Sequence, residues 1–139
     1  MSAVMLVPLL FIYGSLRVGS ANPHAAFLHS CCRHGGLGRM SGRLFRSGSV
    51  HAAVYEPDTN HSVVGDVLEL PEGRVCELLS SLDRYEGIGA GLPNPPAFKR
   101  ELVWVSAVDG TALQCWAWIY ILPTKGFSHI RHGDALRRE

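Results

Sequence analysis

The sequence predicts an α+β fold, a small curved mixed β-barrel flanked by helices, formed by one domain over residues 1–139 with its core at about 4–122. The observations behind this are an apolar run that ends in a glycine turn, a middle third of short extended runs broken by glycines, and a late hairpin preceded by an amphipathic helix. Strands and helices do not alternate as they would in a doubly wound sheet, which leaves α+β as the class.

The first strand is expected at 6–13, a continuous apolar run stopped by Gly14, which reads as a buried central strand. Pro8 assigns its early part to an edge or bulge. After the glycine turn, Asn22 is a suitable N-cap and Pro23 a suitable first residue for a helix carrying Ala25, Phe27, Leu28 and Cys32, expected to stop near Gly35 and Gly36. Extended runs follow at 40–45, 50–55 and 63–70, suggesting a curved, bulged sheet. A second helix is expected to open at Pro71, because Val75, Leu78, Leu79 and Leu82 fall at i, i+3, i+4 and i+7 and form one apolar stripe. Gly87 is placed to end it. Three glycines and three prolines in 87–97 predict a loop. Runs 101–108 and 113–122, joined across Asp109 and Gly110, form the clearest hairpin. The tail after Pro123 is expected to be partly ordered at best.

Composition narrows the function classes. With 139 residues, 47% hydrophobic and 18% charged, the chain can bury a core of its own. A net charge of +1 and scattered basic residues argue against nucleic-acid binding. The apolar run 4–13 is too short to span a bilayer, has no positive charge before it and contains Pro8, so no membrane association and a cytoplasmic location are expected. Cys31, Cys32, Cys76 and Cys115 show no Cys-x-x-Cys spacing, and reduced thiols without a metal are expected, despite His24, His29 and His34 nearby.

Two places carry chemistry. A strand delivering the chain into Tyr13, Gly14, Ser15 and Leu16 shortly before a helix collects free backbone N–H groups. Such a turn suits a small carboxylate, although an ordinary tight turn also fits the spacing. Glu86 lies eleven residues after Val75, close to three helical turns, and so returns to the apolar face. An inward carboxylate at a helix C-terminus has a raised pKa, from desolvation and from the helix dipole, and suits proton transfer near neutrality. The alternative from periodicity is a helix frayed at Tyr85 with Glu86 on an exposed loop. Ser15 lacks a nucleophile elbow. His129, His132 and Asp134 occupy a polar tail where solvated side chains are expected, and Trp104, Trp116, Trp118 and Tyr120 are expected in the core or on the hairpin's outer face.

The ordered set Phe11-Ile12-Tyr13-Gly14-Ser15-Leu16-Arg17, Gly42-Arg43-Leu44-Phe45, Val64-Gly65-Asp66-Val67, Leu82-Asp83-Arg84-Tyr85-Glu86-Gly87 and Cys115-Trp116-Ala117-Trp118-Ile119-Tyr120 resembles the γ-glutamyl cyclotransferase-like (AIG2-like) family. The resemblance covers about 9–122. It implies a γ-glutamyl cyclotransferase-like barrel with no cofactor, in which Tyr13, Gly14, Ser15 and Leu16 bind a γ-glutamyl group and Glu86 is the catalytic acid/base. The implied reaction releases 5-oxoproline and a free amine from a γ-glutamyl amine or γ-glutamyl amino acid. The implied partner is that small molecule, the chain being a monomer or homodimer. A catalytically silent, carboxylate-binding module of the same fold is the alternative. The chain departs from the family's usual pattern at Phe98, where a tyrosine is common, and at Val50-His51-Ala52-Ala53, where many members carry a Tyr-Pro-Ala run.

Overall fold

The computed structural model describes residues 7–137, so Leu6 of the expected N-terminal strand, the start of the expected core at 4–6 and the last two residues lie outside the described part. The elements in chain order are β1 (Leu9–Ile12), α1 (Pro23–Cys31), β2 (Arg33–Ser47), β3 (Val50–Tyr55), β4 (Ser62–Glu69), α2 (Val75–Tyr85), β5 (Phe98–Ala107), β6 (Ala112–Tyr120) and β7 (Ser128–Ile130). Neighbouring strands run β3-β2-β4-β1-β6-β5, and β2 also pairs with β5 through Gly38 opposite Ala107 and Met40 opposite Val105. That pairing closes β2, β4, β1, β6 and β5 into a five-stranded barrel, with β3 and β7 added along the far part of β2. All pairings are antiparallel except β1 with β6, which makes the barrel mixed.

The continuous apolar character of β1 follows from its position. Phe11 points into the barrel beside Met40, Val63, Val103 and Cys115, while Leu10 and Ile12 point outward and are covered by the helices, so neither face meets water. Gly65 makes the close packing of β4 on β1 possible, since a Cβ there would lie 2.5 Å from the Ile12 carbonyl and 2.7 Å from the Phe11 ring. The second cluster joins Leu28 of α1, the α2 stripe of Val75, Leu78, Leu79 and Leu82, and Trp118 of β6.

Three expectations need correction. The first helix does not run to Gly35 and Gly36; it ends at Cys31, Cys32 is already extended, and the glycines form an irregularity inside a fifteen-residue strand where the register against β4 shifts between His34 and Leu37. The second helix does not open at Pro71. Gly73 adopts a left-handed conformation, residues 71–74 form a turn closed by Arg74 N–H on the Pro71 carbonyl, and the helix starts four residues later. After Pro123 the chain adds β7 to β2, and Gly133 exchanges main-chain contact with β4 through the Val64 N–H at 2.7 Å. No helix among the described residues is long and apolar enough to cross a membrane.

Candidate active site

The C-terminus of α2 determines where Glu86 sits. Gly87 takes a left-handed conformation (φ +89°), its N–H donates to the Arg84 carbonyl at 3.1 Å, and Ile88 N–H donates to the Asp83 carbonyl at 2.8 Å. These two bonds are the Schellman closure that a glycine after the helix permits. Glu86 is the capping residue between them, its own N–H donating to Leu82 at 3.0 Å. The helix therefore does not fray at Tyr85, and Glu86 is held on the inner side. Three residues earlier, Asp83 accepts from Arg100 Nε and from Trp118 Nε1, both at 2.9 Å, which ties the last turn of α2 to β5 and β6.

Opposite this helix end, β1 stops and the chain turns through residues 13–16. Arg17 N–H closes the turn on the Gly14 carbonyl at 3.1 Å. The N–H groups of Gly14, Ser15 and Leu16 find no partner among the described residues, so the turn retains donors for another molecule. Tyr13 is buried, and its hydroxyl donates to the Trp118 carbonyl at 2.7 Å and accepts from Ala53 N–H at 3.3 Å. Its phenol is thus committed to the barrel wall, leaving its ring and main chain at the site. Ser15 Oγ lies 3.1 Å from Tyr85 Oη, which also accepts from Asn22 Nδ2 at 2.6 Å. Asn22 caps α1 as well, its Oδ1 accepting His24 N–H at 2.9 Å.

Both elements line one cavity of about 430 Å³, walled by Phe11, Ile12, the 13–16 turn, Asn22, Ser49, Val50, His51, Tyr85, Glu86, Phe98 and Trp118. All five sequence-predicted residues, Tyr13, Gly14, Ser15, Leu16 and Glu86, meet there. Burial pushes the Glu86 carboxyl up to about 7, and no described residue donates a hydrogen bond to it that would pull it back. Burial chiefly, with some repulsion from Glu86, also raises the Tyr13 phenol, so it remains protonated. His51 is held below the usual imidazole range by burial and by Arg46, and its Nδ1 is sealed without a partner. A Cβ on Gly14 would touch His51 Cβ at 3.4 Å, so the absence of a side chain at Gly14 keeps the turn and β3 in close apposition.

Asn22, Tyr85, His51 and Trp118 are cavity residues that sequence reasoning did not assign to the site. Asn22 is legible as a cap, Tyr85 as the neighbour of Glu86, and His51 as a departure from the family pattern. Their convergence is tertiary and has no periodic signal. Trp104 lies on the exposed outer face of the hairpin as expected, whereas Trp118 serves both the helix-facing core and the cavity wall. Phe98 forms part of the wall without filling the cavity, and Pro95 is not among its lining residues. Among the described residues no group of three or more His, Cys, Asp or Glu side chains is placed to hold a metal ion.

Comparison with known proteins agrees with this geometry. A family model described as "Gamma-glutamyl cyclotransferase, AIG2-like" matches residues 10–135. Among solved structures the chain resembles YkqA from Bacillus subtilis, with 24% identity, a TM-score of 0.64 and coverage of 91% of this chain and 39% of that one. An AIG2-like protein from Mus musculus matches at 23% identity and a TM-score of 0.63, covering 84% and 80% of the two chains. The protein ytfP from Escherichia coli matches at 24% identity and a TM-score of 0.61, covering 92% and 96%. The chain thus spans well under half the length of YkqA and nearly the whole of ytfP. A search of curated proteins found no match.

Proposed function

The chain belongs to the γ-glutamyl cyclotransferase, AIG2-like family, and from that premise we propose that it releases 5-oxoproline and a free amine from a γ-glutamyl amine or γ-glutamyl amino acid. The observation that carries this reading is the placement of a carboxyl raised to about 7 and a donor-bearing glycine turn on the walls of one cavity.

In this reading the turn holds the γ-glutamyl group in a folded conformation. Ionised Glu86 takes a proton from the substrate α-ammonium group, and the freed amine attacks its own γ-carbonyl carbon. A five-membered ring closes as negative charge develops on the carbonyl oxygen. Unpaired N–H groups of Gly14, Ser15 and Leu16 are suited to stabilise that oxyanion. Glu86 then returns the proton to the departing nitrogen as the original amide C–N bond breaks, and the ring nitrogen gives up its second proton to the released amine, which leaves as an ammonium ion beside neutral lactam. Because nucleophile and electrophile belong to one molecule, much of the acceleration comes from alignment. A carboxyl with a pKa near 7 is suited both to accept and to return a proton at neutral pH.

A second reading is a binding module that holds a small carboxylate without turning it over. It is favoured by Phe98, which carries no hydroxyl at a cavity position where the family commonly has a tyrosine. Measuring 5-oxoproline release from γ-glutamyl amines, γ-glutamyl amino acids and glutathione, with native protein and Glu86→Gln, separates the two. Release that depends on Glu86 supports the enzyme; binding without release from any compound supports the module.

A further inference from the structure

The 13–16 turn has no regular secondary structure of its own, and its last residue and the two that follow are gripped from three directions. His29 Nε2 lies 2.8 Å from the Leu16 carbonyl and must donate to it, since a carbonyl only accepts. Val18 N–H donates to Asp66 Oδ2 at 2.8 Å. Arg17, almost fully buried, sends Nη1 to Asp134 Oδ1 at 2.5 Å, while its Nε stays 3.7 Å from Asp66 without a hydrogen bond. Among the described residues, the one direct side-chain hydrogen bond of Arg17 is thus to a residue 117 positions further on.

Asp134 is itself firmly placed. Its Oδ1 also accepts Leu136 N–H at 2.9 Å, and its own N–H donates to His132 Nδ1 at 3.2 Å. The preceding Gly133 carbonyl accepts from Val64 at 2.7 Å, and a Cβ on Gly133 would overlap the Ser62 carbonyl, so the segment lies hard against β4. Bringing Arg17, Asp66 and Asp134 together costs desolvation that an apolar cluster would avoid; what charge-assisted hydrogen bonds add is direction.

We propose that Asp134 is a positioning residue that acts through Arg17, so that the C-terminal segment clamps the 13–16 turn in its substrate-binding shape. The word substrate rests on the function proposed above; the clamp itself does not. Asp134→Asn removes the charge and retains the shape. The clamp predicts altered ¹H–¹⁵N resonances and faster amide exchange at Gly14 to Val18, with the hairpin end at Ala107 to Ala112 unchanged, and partial restoration by Asp134→Glu. Where the native protein releases 5-oxoproline, Asp134→Asn should lower kcat/KM by about tenfold, since small misplacements of binding groups are costly. Absence of release from native protein would count against the proposed function alone, because the resonances still report on the clamp. Turn resonances identical to native would overturn the clamp, as would collapse of the whole spectrum in Asp134→Asn, which would make the contact a general support of the fold.

Discussion

The two halves of the site are built in opposite ways. The α2 terminus that presents Glu86 is closed within six residues, by Gly87 and Ile88 bonding back to Arg84 and Asp83. The turn that faces it has a local bond from Arg17 N–H to the Gly14 carbonyl, but the residues that follow it are held by Asp66 and Asp134, 48 and 117 positions away from their partners. The first is a local motif that any helix of this sequence would tend to form; the second exists only once the barrel and its C-terminal segment are assembled. Placing a carboxylate takes a cap, whereas shaping a set of backbone donors takes the whole fold.

Breaking the long-range half should cost most. Asp66→Ala removes the acceptor of Val18 N–H and one of the two carboxylates beside buried Arg17, which keeps Asp134, and should destabilise the protein by about 2–4 kcal/mol in urea unfolding. A loss under about 1 kcal/mol would mean that the turn does not depend on this pair.

Glu86→Gln sharpens the contrast from the other side, since it should stabilise the fold at alkaline pH. The unfolded chain releases this proton near pH 4.5, while the folded chain holds it until about 7. Between these values the native state binds more protons, so its stability falls as pH rises and the loss levels off above pH 7. The glutamine variant escapes that loss and should be more stable than native by about 1–3 kcal/mol at pH 8, with the difference vanishing below about pH 4.5. Thermal unfolding at both pH values checks it.

Gly87→Ala tests the local half. Nothing lies within 4 Å of the added Cβ, so only the left-handed conformation opposes it, at about 1–2 kcal/mol. If Glu86 depends on this cap, the proposed turnover should fall further than stability does. The smallest effect is expected for Asn22→Ala, which removes the acceptor that caps α1 at His24 N–H and should cost about 1 kcal/mol.

The same contrast explains what could be read in the sequence. The burial of β1 on both faces, the α2 stripe, the Asn22 cap and the hairpin are all legible, because each is a short-range pattern. Glu86 is legible only in part: helical period places it inward, a helix frayed at Tyr85 fits the same pattern, and the bonds of Gly87 and Ile88 to Arg84 and Asp83 decide between them. Gly35 and Gly36 mislead, since glycines that stop a helix and glycines that form a bulge are identical in sequence. β7 and Asp134 lie in a polar tail without periodicity, and their role depends on a strand more than eighty positions earlier and an arginine 117 positions earlier. His51 and Tyr85 reach the cavity by tertiary convergence, which no local pattern encodes.

Proton transfer by Glu86 in the proposed reaction is tested most directly by kcat/KM for 5-oxoproline release against pH, native beside Glu86→Gln. The native rate should rise through pH about 7 and the variant's should not, with the variant slower by about 10²–10⁴-fold on the plateau. A variant that keeps the native rate and the same pH rise would contradict proton transfer by Glu86.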